Sequence, residues 1–366
     1  GGTMWINGDR ALGAVPALFD DDNIRFDGGA LKREDGGGFD LAATRGIEIQ
    51  GGGGEMGGYG DMNVLGLIKG SGALTKSGGS TLSLRANNPY SGNISITGGT
   101  LEVQNTGKLQ GGYYNGTVAI SEGTTFRYGG GDGEAQTMNG VISGVGEVIK
   151  EGSGTLILSG TNTYSGPTNV NGGLLVLAAS GSINNSASVT LMPGAQLDTY
   201  EVANYTIPAT QNCTFHLNGD GAGSCGWIRA GYLNIGDANV SLIVDVALDD
   251  AVYLLANYST LGGTIRKFAS VTGLPDGYFI DYAYNGGTQI ALVAGTAPPP
   301  TYASWATENG IDGQPAYGDF DKDGVDNAVE MVLGGLPATR MDAGLMPTLA
   351  RVTNPAGVPA GNYLEF

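Results

Sequence analysis

The chain has 366 residues, among them 67 glycines, 14 prolines, 2 cysteines and one histidine, and its formal net charge is −18. A hydrophobic share of 41% is enough to bury a large core. No apolar run approaches the roughly 20 residues that span a bilayer. The strongly acidic charge excludes nucleic acid as a partner, and a single histidine excludes mechanisms that need a histidine pair.

Residues 1–23 have no clear pattern, and we assign them as an N-terminal extension. The chain begins Gly1-Gly2-Thr3, without an initiator methionine or a signal peptide. Such a start is typical of a mature or trimmed product. The run Asp20-Asp21-Asp22 is interpreted as a solvated turn rather than as a metal site.

A repeat dominates residues 24–239. Residues 66–103 align without a gap with residues 140–177, which lie 74 positions further on, and 16 of the 38 positions are identical. Runs such as Thr81-Leu82-Ser83-Leu84 alternate polar and apolar side chains, as half-buried strands do. Glycine pairs such as Gly98-Gly99 provide tight corners. Short strands with glycine corners at a fixed spacing favour a solenoid.

We therefore predict an all-β fold, a right-handed parallel β-helix in which each strand pairs with its counterpart one coil along. With about 20 to 25 residues in each coil, the 74-residue shift corresponds to three coils. A β-sandwich or jelly roll stays open as the alternative, because alternation of side chains does not give the direction of a strand.

The two cysteines, Cys213 and Cys225, lie where the repeat pattern loosens. An isolated pair in a secreted protein most often forms a disulfide. Such a bond would stabilise the fold by about 3 kcal/mol, because it closes a short loop in the unfolded chain. A metal site with His216 is the alternative, and it lacks a fourth ligand. We predict the disulfide.

Stronger strand patterns fill residues 240–294. We interpret them as a cap of hairpins over the last coils, since the end of a solenoid needs its unpaired backbone covered. Residues 295–301 contain three consecutive prolines and are predicted to form a stiff linker. A small module at residues 302–340 follows, and then a tail at residues 341–366. Because the tail ends like the start of a strand, we expect the natural polypeptide to continue beyond Phe366.

The small module contains the sharpest motif of the chain. DFDKDGVDNAVE, at residues 319–330, matches the calcium-loop pattern D-x-[DN]-x-[DN]-G-x5-E. The predicted ligands are Asp319, Asp321, Asp323, the carbonyl of Val325, Asn327 and Glu330. Oxygen ligands in this number suit Ca²⁺ better than Mg²⁺. Because the pattern occurs once, we predict a structural calcium ion rather than a sensor, and the alternative is an ordinary acidic turn.

The repeat resembles a known family. The segment GSGTLILSGTNTYSGPTNVNGGLLVL, at residues 152–177, is similar to the autotransporter-associated β-strand repeat, also called the passenger-associated transport repeat. Residues 24–54 and 268–293 resemble the segments that precede and close such repeats in large secreted proteins of the Verrucomicrobia and Planctomycetes type. The loop at residues 319–330 looks like a dockerin-like or thrombospondin-type calcium loop.

The resemblance implies an extracellular bacterial passenger that serves surface display or adhesion. We therefore expect a non-enzymatic structural or adhesive protein at the cell surface, which self-assembles into filaments or a matrix and has surface glycans as further partners. Residues 1–23 and the tail after Pro347 are the candidate donor strands for assembly. Two alternatives stay open. One is a polysaccharide-binding or polysaccharide-degrading β-helix that uses Asp245, Asp249 or Asp250, and the other is the stalk of a larger autotransporter-like passenger.

Overall fold

The computed structural model describes residues 2–219, 224–263 and 265–297, and single positions beyond them at 305, 306, 309, 311, 313–315, 318, 322, 326, 327 and 331. The chain divides into two compact units. The first comprises Gly1–Gly262 and Phe268–Ala297, and the second comprises Gly263–Lys267 and Pro298–Phe366.

The first unit is built almost entirely from short strands. In chain order they begin with β1 Thr3–Ile6, β2 Asp20–Phe26, β3 Gly29–Arg33, β4 Phe39–Leu41, β5 Arg45–Ile49, β6 Gly54–Gly58, β7 Met62–Val64, β8 Ile68–Gly70, β9 Leu74–Ser77, β10 Thr81–Leu84, β11 Asn87–Asn88, β12 Ile94–Ile96, β13 Thr100–Asn105, β14 Lys108–Leu109, β15 Tyr113–Tyr114, β16 Val118–Ile120 and β17 Thr125–Gly130. They continue with β18 Ala135–Met138, β19 Ile142–Gly144, β20 Glu147–Lys150, β21 Thr155–Leu158, β22 Thr168–Val170, β23 Leu174–Leu177, β24 Ser188–Leu191, β25 Gln196–Asp198, β26 Tyr205–Thr206, β27 Asn212–Asn218, β28 Ser224–Cys225, β29 Trp227–Asn234, β30 Asn239–Val246, β31 Val252–Gly262, β32 Ser270–Thr272, β33 Tyr278–Ala283 and β34 Gln289–Ala294.

Among the described residues of this unit, helical structure is limited to three short turns, at Asp9–Leu12, at Gln110–Gly112 and at α1, Tyr284–Gly287. In the part of the chain that the structure describes, no helix is long and apolar enough to cross a membrane.

Most strands pair in parallel with the strand one coil before and the strand one coil after, so the unit is a parallel β-solenoid. The 7-stranded sheet has the order β1-β3-β6-β9-β12-β16-β19. The 12-stranded sheet has the order β4-β7-β10-β13-β17-β20-β22-β24-β27-β30-β32, with β28 paired to β27. The 10-stranded sheet has the order β15-β18-β21-β23-β25-β29-β31-β34-β33, with β26 paired to β29, and two small sheets, β2-β5-β8 and β11-β14, occupy the third position of the early coils. The predicted parallel β-helix is confirmed, and the sandwich is excluded.

The coils grow longer toward the end of the solenoid. In the early part, Leu82 pairs with Met62 on one side and with Leu101 on the other, so these coils are short. Near the end, Val240 pairs with Val271, and the coil between these two residues is longer than the two early coils. The expected coil length therefore describes the early coils, and the last coils exceed it.

The core is formed by side chains that stack from coil to coil. One inward column of the 12-stranded sheet consists of Leu41, Val64, Leu84, Val103, Tyr128, Lys150, Val170, Leu191, Phe215 and Leu242. All ten side chains are buried. Because burial of apolar surface stabilises by about 25 cal/mol per Å², each coil stabilises the coils on either side of it.

Each copy of the repeat buries one lysine. Lys76 Nζ donates three hydrogen bonds to backbone carbonyl oxygens at 2.7 to 3.0 Å, and Lys150 Nζ donates three at 2.7 to 2.9 Å. The acceptors are Ser77, Gly78 and Gly98 in the first copy and Glu151, Gly152 and Gly172 in the second. These acceptors correspond one to one under the 74-residue shift, and they use every proton of the ammonium group. Burial lowers the pKa of both lysines to about 8.

The two copies lie on different faces of the solenoid. Lys76 is on β9 in the 7-stranded sheet, and Lys150 is on β20 in the 12-stranded sheet. Strand pairing within the 7-stranded sheet places Ile142 three coils after Leu74. The residue that corresponds to Leu74 in the second repeat copy is instead Val148, which lies on the next face. The prediction that this shift equals three coils is wrong, because the same strand–turn–strand module fits more than one face.

Buried asparagines hold neighbouring coils together in both copies. Asn88 Oδ1 accepts a hydrogen bond from the backbone N–H of Ile68 at 2.7 Å, and its Nδ2 donates to the carbonyl of Lys108 at 3.0 Å. Asn162 makes the same two bonds to the residues 74 positions further on, at 2.9 and 3.2 Å. The amide therefore satisfies backbone groups that would otherwise be buried without partners.

Residues 2–23 belong to the first coil. β1 pairs in parallel with β3, and β2 pairs in parallel with β5. The buried Arg45 joins this coil to the next, since its Nε donates to Asp9 Oδ1 at 2.8 Å and its Nη1 to Asn23 Oδ1 at 2.7 Å. The assignment of residues 1–23 as an extension outside the repeat region is therefore corrected, and β1 is already paired rather than available as a donor strand.

Within residues 240–294, antiparallel pairing joins β31, β33 and β34, and earlier in the chain the short β28 pairs antiparallel with β27. β30, β31 and β32 pair in parallel with earlier coils and so continue the solenoid. β34 then pairs antiparallel with both β31 and β33. The hairpin cap predicted for residues 240–294 is corrected to residues 278–294.

The second unit contains a small apolar cluster of its own. Trp305, Ala306 and Ile311 are buried together, and Met331 packs against them. The backbone N–H of Ile311 donates to the carbonyl of Ala306 at 2.9 Å. The prolines of the predicted linker and the tail at residues 341–366 lie outside the described residues.

Candidate functional site

A column of outward-facing side chains crosses the 12-stranded sheet. It consists of Asp40, Asn63, Ser83, Glu102, Arg127, Ile149, Asn169, Thr190, Thr214, Ser241 and Thr272, each paired with the next across neighbouring strands. Side chains alternate between the two faces of a strand, so this column lies opposite the buried core columns. Ile149 is its one apolar member. We call it the outward column.

The first part of the outward column lies in a groove of about 340 Å³. Gly38, Asp61, Asn63, Thr81, Ser83, Arg85, Glu102, Gln104 and Arg127 line it. Ser83 and Glu102 form its floor, since they are only 3% and 6% exposed although they point away from the core. The volume lies within the roughly 300 to 1,000 Å³ that small-molecule sites occupy. We call this feature the polar groove.

Hydrogen bonds fix the side chains of the polar groove. Ser83 Oγ donates to Glu102 Oε2 at 2.5 Å, and Gln104 Nε2 donates to Ser83 Oγ at 3.1 Å. At one end of the groove, Asp61 Oδ1 accepts the backbone N–H of Thr81 at 2.8 Å. Side chains held in this way lose little conformational entropy when a partner binds.

Two arginines keep hydrogen-bonding capacity in the groove. Arg127 is only loosely paired, with its Nη1 3.6 Å from Glu102 Oε1 and its Nε 3.9 Å from Glu151 Oε2. Among the described residues, the buried Nε atoms of Arg85 and Arg127 have no hydrogen-bond partner.

The predicted calcium ligands Asp319, Asp321, Asp323, Val325 and Glu330 lie outside the described residues. Asn327 is described and is buried. Its backbone N–H donates to the carbonyl of Gly318 at 2.7 Å, and its Nδ2 donates to the carbonyl of Pro315 at 3.2 Å. The calcium site therefore stays a prediction from the sequence.

The structure corrects the predicted disulfide, since Cys213 and Cys225 are both free and buried. Cys213 pairs with Val189 and faces the core, whereas Cys225 pairs with Leu217, four residues further along the strand of Cys213. At about 3.3 Å per residue, Cys213 and Leu217 are about 13 Å apart along the strand. Cys225 lies beside Leu217 on the neighbouring strand, so the two cysteines are beyond the roughly 7 Å between Cα atoms that a disulfide bridges. Burial raises the pKa of both thiols to about 12.

The aspartates considered for an enzymatic role make separate local contacts. Asp245 pairs with the single histidine of the chain, with His216 Nδ1 2.9 Å from Asp245 Oδ2. The hydroxyl of Tyr253 accepts the backbone N–H groups of Asp249 and Asp250, each at 3.1 Å. These contacts explain Asp245 as the hydrogen-bond partner of His216 and Asp249-Asp250 as a turn.

Three aspartates near the N-terminus bring their carboxylate oxygens within 4.8 Å of one another, namely Asp20, Asp21 and Asp22. They begin β2, so the predicted solvated turn is corrected to the start of a strand. Asp22 pairs with Arg25, and Asp21 pairs with Lys69 at 2.7 Å. Cationic side chains thus already balance part of this charge.

Sequence reasoning missed the polar groove because its members are far apart in the chain. Asn63, Ser83, Glu102 and Arg127 are adjacent in space although each comes from a different coil. The available signal was a polar residue at the outward position of each strand. Using that signal requires the register between coils, and coil length varies along the chain.

The buried lysines and asparagines identify the sequence module that builds the coils. Two segments match the model of the passenger-associated-transport-repeat. They are residues 74–103 and 148–177, and each contains one buried lysine and one buried asparagine. The repeat thus coincides with the hydrogen-bonded units of the solenoid.

A longer similarity includes one named relative. An alignment over 214 residues, which covers 49% of the chain, shows 36% identity to the protein called Adhesin BmaC autotransporter of Brucella suis biovar 1 (strain 1330). This stretch covers 6% of the Brucella protein, so the chain spans a small part of that relative's length. No solved structure matches the chain.

Proposed function

We propose that the solenoid is a non-enzymatic adhesive segment of a secreted bacterial protein, exposed at the cell surface, and that the polar groove contacts its target. The observation that carries the proposal is the groove itself, a preformed polar surface on a sheet whose opposite face is buried. The similarity to a Brucella protein called an adhesin supports the adhesive role and the surface location.

A solenoid suits adhesion because it repeats each outward position at a constant spacing. Neighbouring strands are about 4.8 Å apart, and hydrogen-bonded ladders hold that spacing along the 12-stranded sheet. A surface of this kind is rigid before contact. The entropy lost on binding is therefore small compared with that of a flexible loop.

Hydrogen bonds within the protein hold the carboxylates of the groove in place. Glu102 accepts a hydrogen bond from Ser83 and lies next to Arg127. Asp61 accepts a backbone N–H. We therefore assign these carboxylates the role of fixing and contacting a ligand.

A binding assay on cells tests the proposal. The purified chain is applied to a panel of animal, plant and bacterial cells, and bound protein is measured against concentration, with heat-unfolded chain as the control. We expect saturable binding of the folded chain to at least one cell type. Binding no greater than that of the unfolded control would refute the adhesive role, and release of reducing ends from a polysaccharide would refute the non-enzymatic role.

We also propose, from the sequence pattern alone, that the loop at residues 319–330 holds a structural calcium ion and that the secreted protein self-assembles into filaments. Negative-stain electron microscopy in calcium and after chelation tests the assembly. Regular filaments would support self-assembly, and isolated particles in both conditions would refute it.

A further inference from the structure

The polar groove presents hydrogen-bond donors and acceptors side by side. Asp61 and Glu102 supply acceptor oxygens, and the guanidinium groups of Arg85 and Arg127 supply donors. The amide of Asn63 supplies both. A ligand that satisfies such a set needs donors and acceptors on closely spaced atoms. Adjacent hydroxyl groups of a sugar meet this need, because each hydroxyl has one donor and two acceptor positions.

The charges of the groove cancel. Two carboxylates, of Asp61 and Glu102, face two guanidinium groups, of Arg85 and Arg127. The whole chain carries a net charge of −18, which repels a polyanion at long range. A sulfated or uronic-acid polysaccharide would thus approach against the field and meet no excess of positive charge. An uncharged saccharide has neither disadvantage.

The direction of the outward column matches a chain-like ligand. Asn63, Ser83, Glu102 and Arg127 lie on four successive strands of the sheet. Their spacing of about 4.8 Å is set by the distance between strands, and it is close to the length of one sugar unit in an extended polysaccharide. A polysaccharide lying along the column would therefore meet a new polar side chain at each sugar.

A peptide partner fits this groove poorly. Its lining consists of glycine and polar residues, without an aromatic or a large aliphatic side chain. Protein interfaces draw most of their affinity from a few buried anchors, often tryptophan or tyrosine, that fill well-packed pockets. The polar groove has no apolar pocket of that kind.

From these observations we infer that the polar groove binds an uncharged polysaccharide, with the polysaccharide chain along the outward column. The inference rests on the proposed adhesive function, because it names the class of target for the same groove. The guanidinium groups of Arg85 and Arg127, which line the groove, donate to hydroxyl oxygens. Glu102, held by Ser83, accepts from a hydroxyl on the groove floor.

Isothermal titration of the full chain with defined saccharides tests the inference. The uncharged probes are hexasaccharides of glucose, mannose, galactose and N-acetylglucosamine, and the acidic probes are oligogalacturonate and heparin. We expect at least one uncharged hexasaccharide to bind. Arg127→Gln and Ser83→Ala should each weaken that binding by about ten-fold or more, because each removes a bond from the groove.

Two matched variants serve as controls. Ser241→Ala changes the same outward column on β30, and Arg229→Gln changes an ion-paired arginine of the 10-stranded sheet. Neither should alter saccharide binding. Circular dichroism confirms the fold of each variant, and the two groove variants act from different strands, so either one decides the outcome if the other fails to fold.

The outcomes separate the inference from the proposed function. Binding of acidic probes alone, or uncharged binding that the groove variants leave unchanged, would overturn the inference. Adhesion to cells without binding of any saccharide would also overturn it, while the adhesive function would stand. Saccharide binding without adhesion to any cell would support the inference and refute the adhesive function.

Discussion

Lys76 and Lys150 make the same three hydrogen bonds to backbone carbonyls although they lie on different faces of the solenoid. The repeat is therefore a hydrogen-bonded module that can occupy different faces of the solenoid. Its lysine ties the turn after its own strand to the equivalent turn one coil further on. The fold can thus add coils of different lengths without changing the module.

The buried lysines should be essential for stability. We expect Lys76→Met or Lys150→Met to lower the free energy of unfolding by about 3 kcal/mol, because methionine keeps the volume and leaves three buried carbonyls unsatisfied. Urea denaturation followed by circular dichroism measures the change. Lys69→Met is the control, since Lys69 is a surface lysine paired only with Asp21, and a surface ion pair contributes at most about 1 kcal/mol. Equal unfolding midpoints for Lys150→Met and Lys69→Met would contradict this role.

High pH should unfold the solenoid cooperatively. Burial raises the pKa of Tyr128 to about 12 and also raises the pKa of Tyr90, Tyr114 and Tyr164. Above pH 10 the unfolded chain loses these phenolic protons and the folded chain keeps them. The stability they provide is therefore complete below about pH 10 and is lost as the pH rises through 12.

The two lysines act with the opposite sign. Their pKa is lowered to about 8 in the folded chain, whereas lysines of the unfolded chain keep their protons up to about pH 10.4. Because the unfolded chain binds more protons between these two values, the lysines make stability rise with pH from about 8 to about 10.4. The tyrosines outnumber them, and we expect stability to fall above pH 10. Tyrosinate absorbance and circular dichroism should change together. Ionisation of all tyrosines with the circular dichroism unchanged would contradict the burial of these phenols.

The cysteines should be free and unreactive in the native protein. Because Cys213 and Cys225 are buried and the pKa of each thiol is raised to about 12, little reactive thiolate forms near pH 8. We expect no reaction with a thiol reagent in the folded state and two reactive thiols after denaturation without reductant. If the denatured protein shows two reactive thiols only after reduction, the two cysteines form a disulfide and this prediction is wrong.

The calcium loop should bind one ion. We expect titration calorimetry of the full chain to give a stoichiometry of one, and Asp321→Asn to abolish measurable binding, since it removes a charged ligand of the pattern. Asp326→Asn is the matched control, because Asp326 occupies a position of the loop that the pattern does not use as a ligand. Equal loss of calcium binding in both variants, or no calcium binding by the unchanged chain, would contradict the calcium site and support an ordinary acidic turn.

The fold class was predictable because the signals that specify it are local. Alternation such as Thr81-Leu82-Ser83-Leu84 and the glycine corners appear within a few residues, and the repeat shows that they recur. β1 was missed because its pattern is short and its partner β3 belongs to the next coil. A disulfide between Cys213 and Cys225 was predicted because isolated cysteine pairs in secreted proteins usually form one. The register of β27 and β28 keeps the two residues apart.

The candidate site depended on information that the sequence does not display. Ser83 and Glu102 meet because one short coil separates them, and the next coil, which brings Glu102 to Arg127, is longer. Unequal coils remove any fixed period that a sequence search could use. Only the pairing of strands shows which polar residues share the groove.

The measurement that tests the central claim most directly is adhesion after a bulky label is attached to a chosen position of the outward column. Single cysteines are introduced by Asn63→Cys in the polar groove and by Ser241→Cys on β30, two positions that are both half-buried. The native thiols are buried, so a maleimide carrying polyethylene glycol reacts only with the introduced cysteine. We predict that the label at position 63 abolishes adhesion and that the label at position 241 leaves it unchanged. Equal adhesion of the two labelled proteins would show that the polar groove is not the contact surface.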